Sequence, residues 1–326
     1  MTARPDPPAH ASAIGPWAPD PEAGPPPDPD LEPAGFIVLA DGDVRLHFHD
    51  WGGRSPTTRL AGALLLPGLL QPAWSWAPVA RRLASAIPTV VADLRGQGLS
   101  DAPMDGYDIA TLAADAIAVA EGSGLLRDEP IVLAGHGFGA LVAAAAAEAL
   151  ANRCAGVVLV DGGWERIEVT AEVDVDEFLR DLDEPPEVMR SMDAWLADRR
   201  GFDPATWDAD QERLARDAVV ETAAGHVVRA VRPHVVEAIV RTMFATDPEP
   251  ALASIDAPVA ALVALGSGDN GARLAELRRC SEARAAAGRS PIRLAGYPGA
   301  AHNLMRYRPA EVAAAILEVA REASGR

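Results

Sequence analysis

Ile131-Val132-Leu133-Ala134-Gly135-His136-Gly137-Phe138-Gly139-Ala140-Leu141 sets a short apolar run directly against an Ala-rich, helix-forming segment that continues to Leu150. Four consecutive apolar residues, a sharp turn and a helix read as a strand buried on both faces that reverses into a crossover helix. The small residues at 135 and 139 allow strand and helix to approach closely. They force the residue between them into an exposed, strained position, the layout of a nucleophile elbow. That central residue is Gly137, which has no side chain to attack anything.

The same punctuation continues on both sides of the turn. Ala63 to Leu66, Thr89 to Ala92, Val157 to Val160, Val259 to Leu265 and Ile292 to Ala295 are short apolar runs separated by helix-length segments. This alternation predicts an α/β protein built on a mostly parallel, doubly wound sheet. Ahead of it, Phe36 to Leu39 and Val44 to Trp51 flank Asp41-Gly42 as a hairpin. Val44, Leu46 and Phe48 alternate toward one face, so Arg45, His47 and His49 are expected on an exposed one. No third ligand accompanies the two histidines, and no metal site is expected there.

Between Gly163 and Pro250 the strand signal gives way to helical stripes, which predicts a helical cap over 163–250 inserted into a core of 35–162 and 251–326. Met189, Met192, Trp195, Met243 and Phe244 on those stripes are candidates to line a substrate pocket. Residues 1–34, dense in Pro with Asp, Glu and Gly, are expected to form a disordered, dispensable tail.

Composition narrows the function. With 326 residues, 49% hydrophobic and 23% charged, the chain can bury a sizeable core without metals or disulfides. Asp+Glu 47 against Lys+Arg 29 leaves a net charge of -18, a field that repels nucleic acid and anionic membranes. All the basic residues are Arg, which, with abundant Ala, Gly and Pro, suggests a GC-rich bacterial gene. Cys154 and Cys280 form no close pair, the N-terminus lacks a secretory apolar run, and no stretch suits a membrane span. A cytoplasmic protein with a small-molecule substrate or ligand and no cofactor is expected.

Further motifs surround the elbow. Pro67-Gly68-Leu69 ends a strand at a turn where the Leu69 amide can join that of Phe138 in an oxyanion hole. Asp93-Leu94-Arg95-Gly96-Gln97-Gly98-Leu99-Ser100-Asp101 follows the next strand. Gly266-Ser267-Gly268-Asp269 places an acid at a later strand end, and Ala301-His302-Asn303 places a histidine before the last helix. With these residues the chain, from about Gly35 to Ala323, resembles the α/β-hydrolase fold superfamily, as a serine esterase-like, cap-containing bacterial member. The order of elbow, acid and histidine is the one that family uses. The resemblance implies that His302 is the general base and Asp269 the acid that orients it, with Asp161 the alternative acid.

Departures from the family's pattern are Pro67 where His is common, Gln97 for a commoner His, and Gly137 in place of the nucleophile. Acyl transfer through a covalent ester needs an oxygen or sulfur at 137. His136 as a substitute base and Ser75 as a surrogate nucleophile are minor candidates. Three readings follow: a hydrolase of small esters, attenuated or relying on water activated by His302; a non-catalytic pocket retained for a ligand or partner; and an ordinary serine hydrolase changed at one codon. The retained base, acid and loops favour the enzyme.

Overall fold

The apolar runs become strands of a single sheet in the computed structural model, which describes residues 15–22, 26–53, 60–127, 129–266 and 270–324. Its strands are β1 (Gly15–Pro16), β2 (Ala34–Leu39), β3 (Arg45–Asp50), β4 (Ala63–Leu66), β5 (Thr89–Ala92), β6 (Ile131–His136), β7 (Cys154–Val160), β10 (Val259–Leu265) and β11 (Arg293–Pro298). The intervening β8 (Val219–Glu221) and β9 (Val227–Arg229) form a separate hairpin. The order across the sheet is β1-β11-β10-β7-β6-β4-β5-β3-β2. Strands from β1 to β5 pair in parallel, and only β3 and β2 run antiparallel at one edge.

Helices cover both faces, as parallel strands require. They are α1 (Ala77–Ala84), α2 (Ile109–Gly122), α3 (Phe138–Leu150), α4 (Ile167–Thr170), α5 (Val175–Asp181), α6 (Met192–Phe202), α7 (Ala209–Asp217), α8 (Pro233–Ala245), α9 (Glu249–Ser254), α10 (Gly271–Ala286), α11 (Leu304–Tyr307) and α12 (Pro309–Ser324). The two-residue period of a strand divides the core into two layers. Ile131 and Leu133 of β6 join Leu141 of α3 and Leu112 of α2, whereas Val132 and Ala134 join Leu83 of α1 and Ile316 of α12.

One expectation is corrected here, and two other segments gain detail. His47 is buried and His49 half-buried, because the face opposite Phe48 is also covered; His47 Nδ1 lies 2.8 Å from Asp93 Oδ2 and His49 packs edge-on against Trp74. The inserted segment is mostly helical but contains the β8 and β9 hairpin, where Val219-Val220 and Val227-Val228 flank a turn at Gly225. The described part of the N-terminal stretch makes contacts with the core. Gly15–Pro16 pairs with the edge strand β11, the Trp17 amide donates to the Leu294 carbonyl (3.0 Å), and Arg81 Nε donates to the Leu31 carbonyl (3.0 Å). An open sheet edge offers unpaired backbone groups, and Trp17 beside it packs against the core. Residues 1–14 and 23–25 lie outside the described residues.

One buried charge ties α10 to the segment that leads into β10. Arg284 of α10 has no exposed surface, and its guanidinium donates to the carbonyls of Leu252 (2.6 Å), Ile255 (2.9 Å), Ala257 (3.0 Å) and Ser290 (3.1 Å). Burial brings its pKa down to about 10, so it stays charged at neutral pH. An Arg284→Leu substitution strands those carbonyls without donors, at about 1–3 kcal/mol for each that stays dry. A loss of at least about 3 kcal/mol is expected in urea unfolding, and an unchanged midpoint would contradict the role given to Arg284.

Candidate active site

The chain leaves β4 for β5 on one side and returns through β6 on the other, so the loops after β4 and β6 part at the carboxyl ends of adjacent strands. Doubly wound sheets hold ligands in this crevice. Here Leu69 follows β4, Gly137 follows β6, Asp161 follows β7 and His302 follows β11, and all four line one cavity of about 460 Å³.

The elbow is as tight as its sequence implies. A Cβ on Gly135 would stand 2.1 Å from the Gly139 carbonyl oxygen, and one on Gly139 would stand 2.3 Å from that of Pro67, so neither position admits a side chain. Gly137 has φ 52° and ψ -116°, a conformation that costs an L-residue roughly 1–3 kcal/mol. A Cβ there would meet only His302, 3.3 Å from its Nε2. The turn therefore presents position 137 to the histidine although no side chain stands there.

His302 Nδ1–H donates to Asp161 Oδ2 at 2.6 Å, which turns Nε2 toward position 137. Asp161, the alternative acid of the sequence reading, is the acceptor on Nδ1 among the described residues. Asp269 itself lies outside the described residues. Asp161 is almost fully buried, and its Oδ1 accepts from the Ala264 amide (2.9 Å) and Arg273 Nη2 (3.0 Å). Burial alone would raise its pKa. The His302 hydrogen bond, the Arg273 charge and the Ala264 amide outweigh that and hold it below the usual carboxylate range. Its backbone has φ 48°, unusual for a residue other than glycine, and such outliers concentrate at functional sites. Arg273 Nε also donates to buried Glu165 (2.7 Å), whose pKa burial pushes up against the pull of Arg273. Asp161, Glu165 and Arg273 together carry one net negative charge when ionised, which a protonated His302 would neutralise.

Leu69 and Phe138, expected to supply the oxyanion donors, both line the cavity, and neither backbone N–H donates to another group among the described residues. Their loop is held from outside. Gln97 Oε1 accepts from the Leu70 amide (2.5 Å) and Gln97 Nε2 donates to the Gly68 carbonyl (3.2 Å), fixing Leu70 at φ 65°. Gln97, a departure in the sequence, is thus a brace for the oxyanion turn.

His136 is a second brace. It is buried, its ring lies 4.4 Å from that of His302, its Nε2–H donates to the His302 carbonyl (3.0 Å), and its Nδ1 lies 3.1 Å from the side-chain amide of Gln71. Burial, with the nearby His302 acting the same way, pushes its pKa down to about 3, so it stays neutral. The folded pKa lies below the ordinary value near 6.5, so the unfolded chain takes up this proton first as pH falls. The stability His136 contributes is complete above about pH 6.5 and is lost on descending toward pH 3. Between pH 6 and 4 the unfolding free energy of the parent should fall more steeply than that of His136→Gln, by about 1.4 kcal/mol per pH unit. Equal slopes in denaturant titrations would refute this.

The five residues expected to line a substrate pocket lie in different places. Met243 reaches the cavity, with Ile167, Phe178 and Leu182 from the same inserted segment. Trp195 lines an adjoining chamber. Met189 and Met192 pack instead on a small core formed by Trp195, Leu196, Ala215, Val219 and Val227. Phe244 stands behind the wall, its ring 5.5 Å from that of Phe178. Helical periodicity identifies an apolar face but not whether a cavity or another helix lies against it. Ser75 is buried in the second core layer and does not line the cavity. Sequence reasoning gave no role to Glu165 and Arg273, which only the fold brings beside Asp161.

Comparison with known proteins shows which chains this one is similar to. The N-formylmaleamate deformylase of Pseudomonas putida is 38% identical over 129 residues, which are 39% of this chain and 45% of that one, so the match spans less than half of the relative's length. Among solved structures, E-2-(acetamidomethylene)succinate hydrolase superposes with a TM-score of 0.71 at 22% identity, covering 88% of this chain and 99% of its own. An alpha/beta hydrolase from Novosphingobium aromaticivorans gives 0.65 at 23% identity, covering 89% and 99%. No described helix is long and apolar enough to cross a membrane. Residues 63–315 match the profile of the Alpha/beta hydrolase family, and the chain belongs to that family.

Proposed function

We propose that this protein hydrolyses a small ester-type substrate with water activated directly by His302, the nucleophile position being occupied by Gly137. The observation that carries the reading is the His302 and Asp161 pair, whose free Nε2 stands 3.3 Å from where an elbow side chain would begin. A serine CH2OH fills roughly the volume of one water molecule, about 30 Å³. Water in that place meets the base, and a carbonyl above it meets the Leu69 and Phe138 amides.

In the first step His302 Nε2 takes a proton from water as the water oxygen bonds to the carbonyl carbon. The carbonyl oxygen becomes an oxyanion that accepts from the two amides. Asp161 holds the Nδ1–H tautomer and balances the imidazolium. The tetrahedral intermediate then expels the leaving oxygen, which receives the Nε2 proton, giving acid and alcohol. The deformylase named among the relatives supports carbonyl hydrolysis as the chemistry, and the same steps serve an amide-type leaving group. A pocket that only binds would have no need of an oriented base beside an oxyanion turn.

A site without its nucleophile retains roughly 10³- to 10⁴-fold catalysis over water. His302→Ala is expected to lower the parent's hydrolysis of 4-nitrophenyl acetate roughly 10²-fold, with no pre-steady-state burst in the parent. A burst, or activity indifferent to His302→Ala, would sink the water mechanism.

A further inference from the structure

The cavity above Gly137 opens past Leu69, Leu70, Gln71 and His302 into a second chamber of about 560 Å³, walled by the inserted segment and by the loop that carries His302. Trp195 and Trp207 form an apolar wall, and three arginines reach the chamber. Arg199 is already neutralised: it is bidentate to Glu184 (3.0 and 2.9 Å), bonded to Asp198, and lies over the Trp195 ring. The other two are not. Arg306 donates to Thr206 Oγ1 (2.7 Å) and the Asp203 carbonyl (2.9 Å), both uncharged acceptors, and the nearby Asp203 carboxylate is engaged by the Ala205 amide and the Thr206 hydroxyl. Arg229 is half-buried and has no side-chain hydrogen bond or ion pair among the described residues.

Two half-buried guanidinium groups face this one chamber: Arg229, without a side-chain partner among the described residues, and Arg306, held by uncharged acceptors with the Asp203 carboxylate bridged to it through Thr206. Partly desolvated arginines gain most from a planar anion that accepts from both. Glu184 in the same wall is paired with Arg199 and adds no net charge, so the choice of a planar carboxylate over a tetrahedral phosphate rests on the planar fork of the guanidinium groups. We infer that this chamber is a carboxylate subsite. The substrate places its scissile carbonyl at His302 and an acid group on the same molecule between Arg229 and Arg306. The inference rests on the hydrolase reading for the carbonyl but not for the acid group, so binding tests it separately.

Calorimetric titration with 4-phenylbutyrate, its neutral isostere 4-phenylbutyramide and 3-phenylpropyl phosphate reads the subsite without turnover. The carboxylate is expected to bind at least about tenfold more tightly than the amide, and Arg229→Gln or Arg306→Gln to remove most of that difference while leaving the amide unchanged. Arg306 braces the loop near Thr206, so Arg229→Gln, which breaks no observed contact, decides the matter if Arg306→Gln does not fold. Equal binding of acid and amide, tighter binding of the phosphate, or an unaltered preference in Arg229→Gln would overturn the inference. If the preference is absent while Gly137→Ser reacts with an ester-mimicking probe, the subsite falls and the hydrolase reading stands. If the preference is present and Gly137→Ser is inert, the subsite stands alone.

Discussion

Gly137→Ser is expected to raise hydrolysis of 4-nitrophenyl acetate at least roughly 10²-fold over the parent, because the serine completes a site whose other groups are already placed. His302 Nε2 lies 3.3 Å from the incoming Cβ, so the hydroxyl one bond further on reaches it by a small rotation. The 3.3 Å approach is tight, but His302 is 63% exposed at its side chain and can yield a few tenths of an ångström. The backbone already has φ 52° and ψ -116°, so no rearrangement of the turn is needed. The strain of an L-residue there should appear as a stability loss of roughly 1–3 kcal/mol in urea unfolding. Activity rising while stability falls is the expected signature. A folded Gly137→Ser protein no faster than the parent would show that the oxyanion turn and the base do not share one reacting carbonyl.

In that Gly137→Ser background, Asp161→Asn is expected to cut kcat roughly 10³- to 10⁴-fold with little change in KM. The amide cannot fix the Nδ1–H tautomer or balance the imidazolium. The 2.6 Å contact to His302, together with the Arg273 and Ala264 bonds that aim the carboxylate, makes Asp161 the group on which the base depends. Asp269→Asn made in parallel should change kcat by less than about threefold, since the principal acceptor on Nδ1 is already supplied. A large loss with Asp269→Asn and a small one with Asp161→Asn would restore the order of residues that the sequence alone suggested.

That order shows where sequence reasoning stops. Both Asp161 and Asp269 follow apolar strand runs, and nothing in linear spacing says which carboxyl end faces the histidine. Sheet order does not decide it either, because β7 lies beside β6 and its elbow while β10 lies beside β11, which leads to His302; the 2.6 Å contact to His302 singles out Asp161 among the described residues. The Gly162-Gly163 pair after Asp161 was the available signal. A Cβ at Gly162 would lie 2.7 Å from the Gly137 Cα, so this loop packs directly against the elbow. The strands were legible because burial on both faces leaves continuous apolar runs, as from Val259 to Leu265. The elbow was legible because Gly135 and Gly139 are demanded by backbone contact. His47 and His49 were misplaced because alternation assigns them to the other face of β3 but does not reveal that Trp74 covers it. Met189 and Met192 share the helical period of Met243, and only tertiary packing separates a core face from a cavity wall.

The intact mass of the Gly137→Ser protein after reaction with a fluorophosphonate tests the central claim most directly, because the adduct forms only where hydroxyl, base and oxyanion donors converge. The claim predicts one adduct per chain, mapped to position 137, with none on the parent and none once His302→Ala is added. Labelling of the parent elsewhere in the cavity, or a folded Gly137→Ser protein that stays unlabelled, would contradict it.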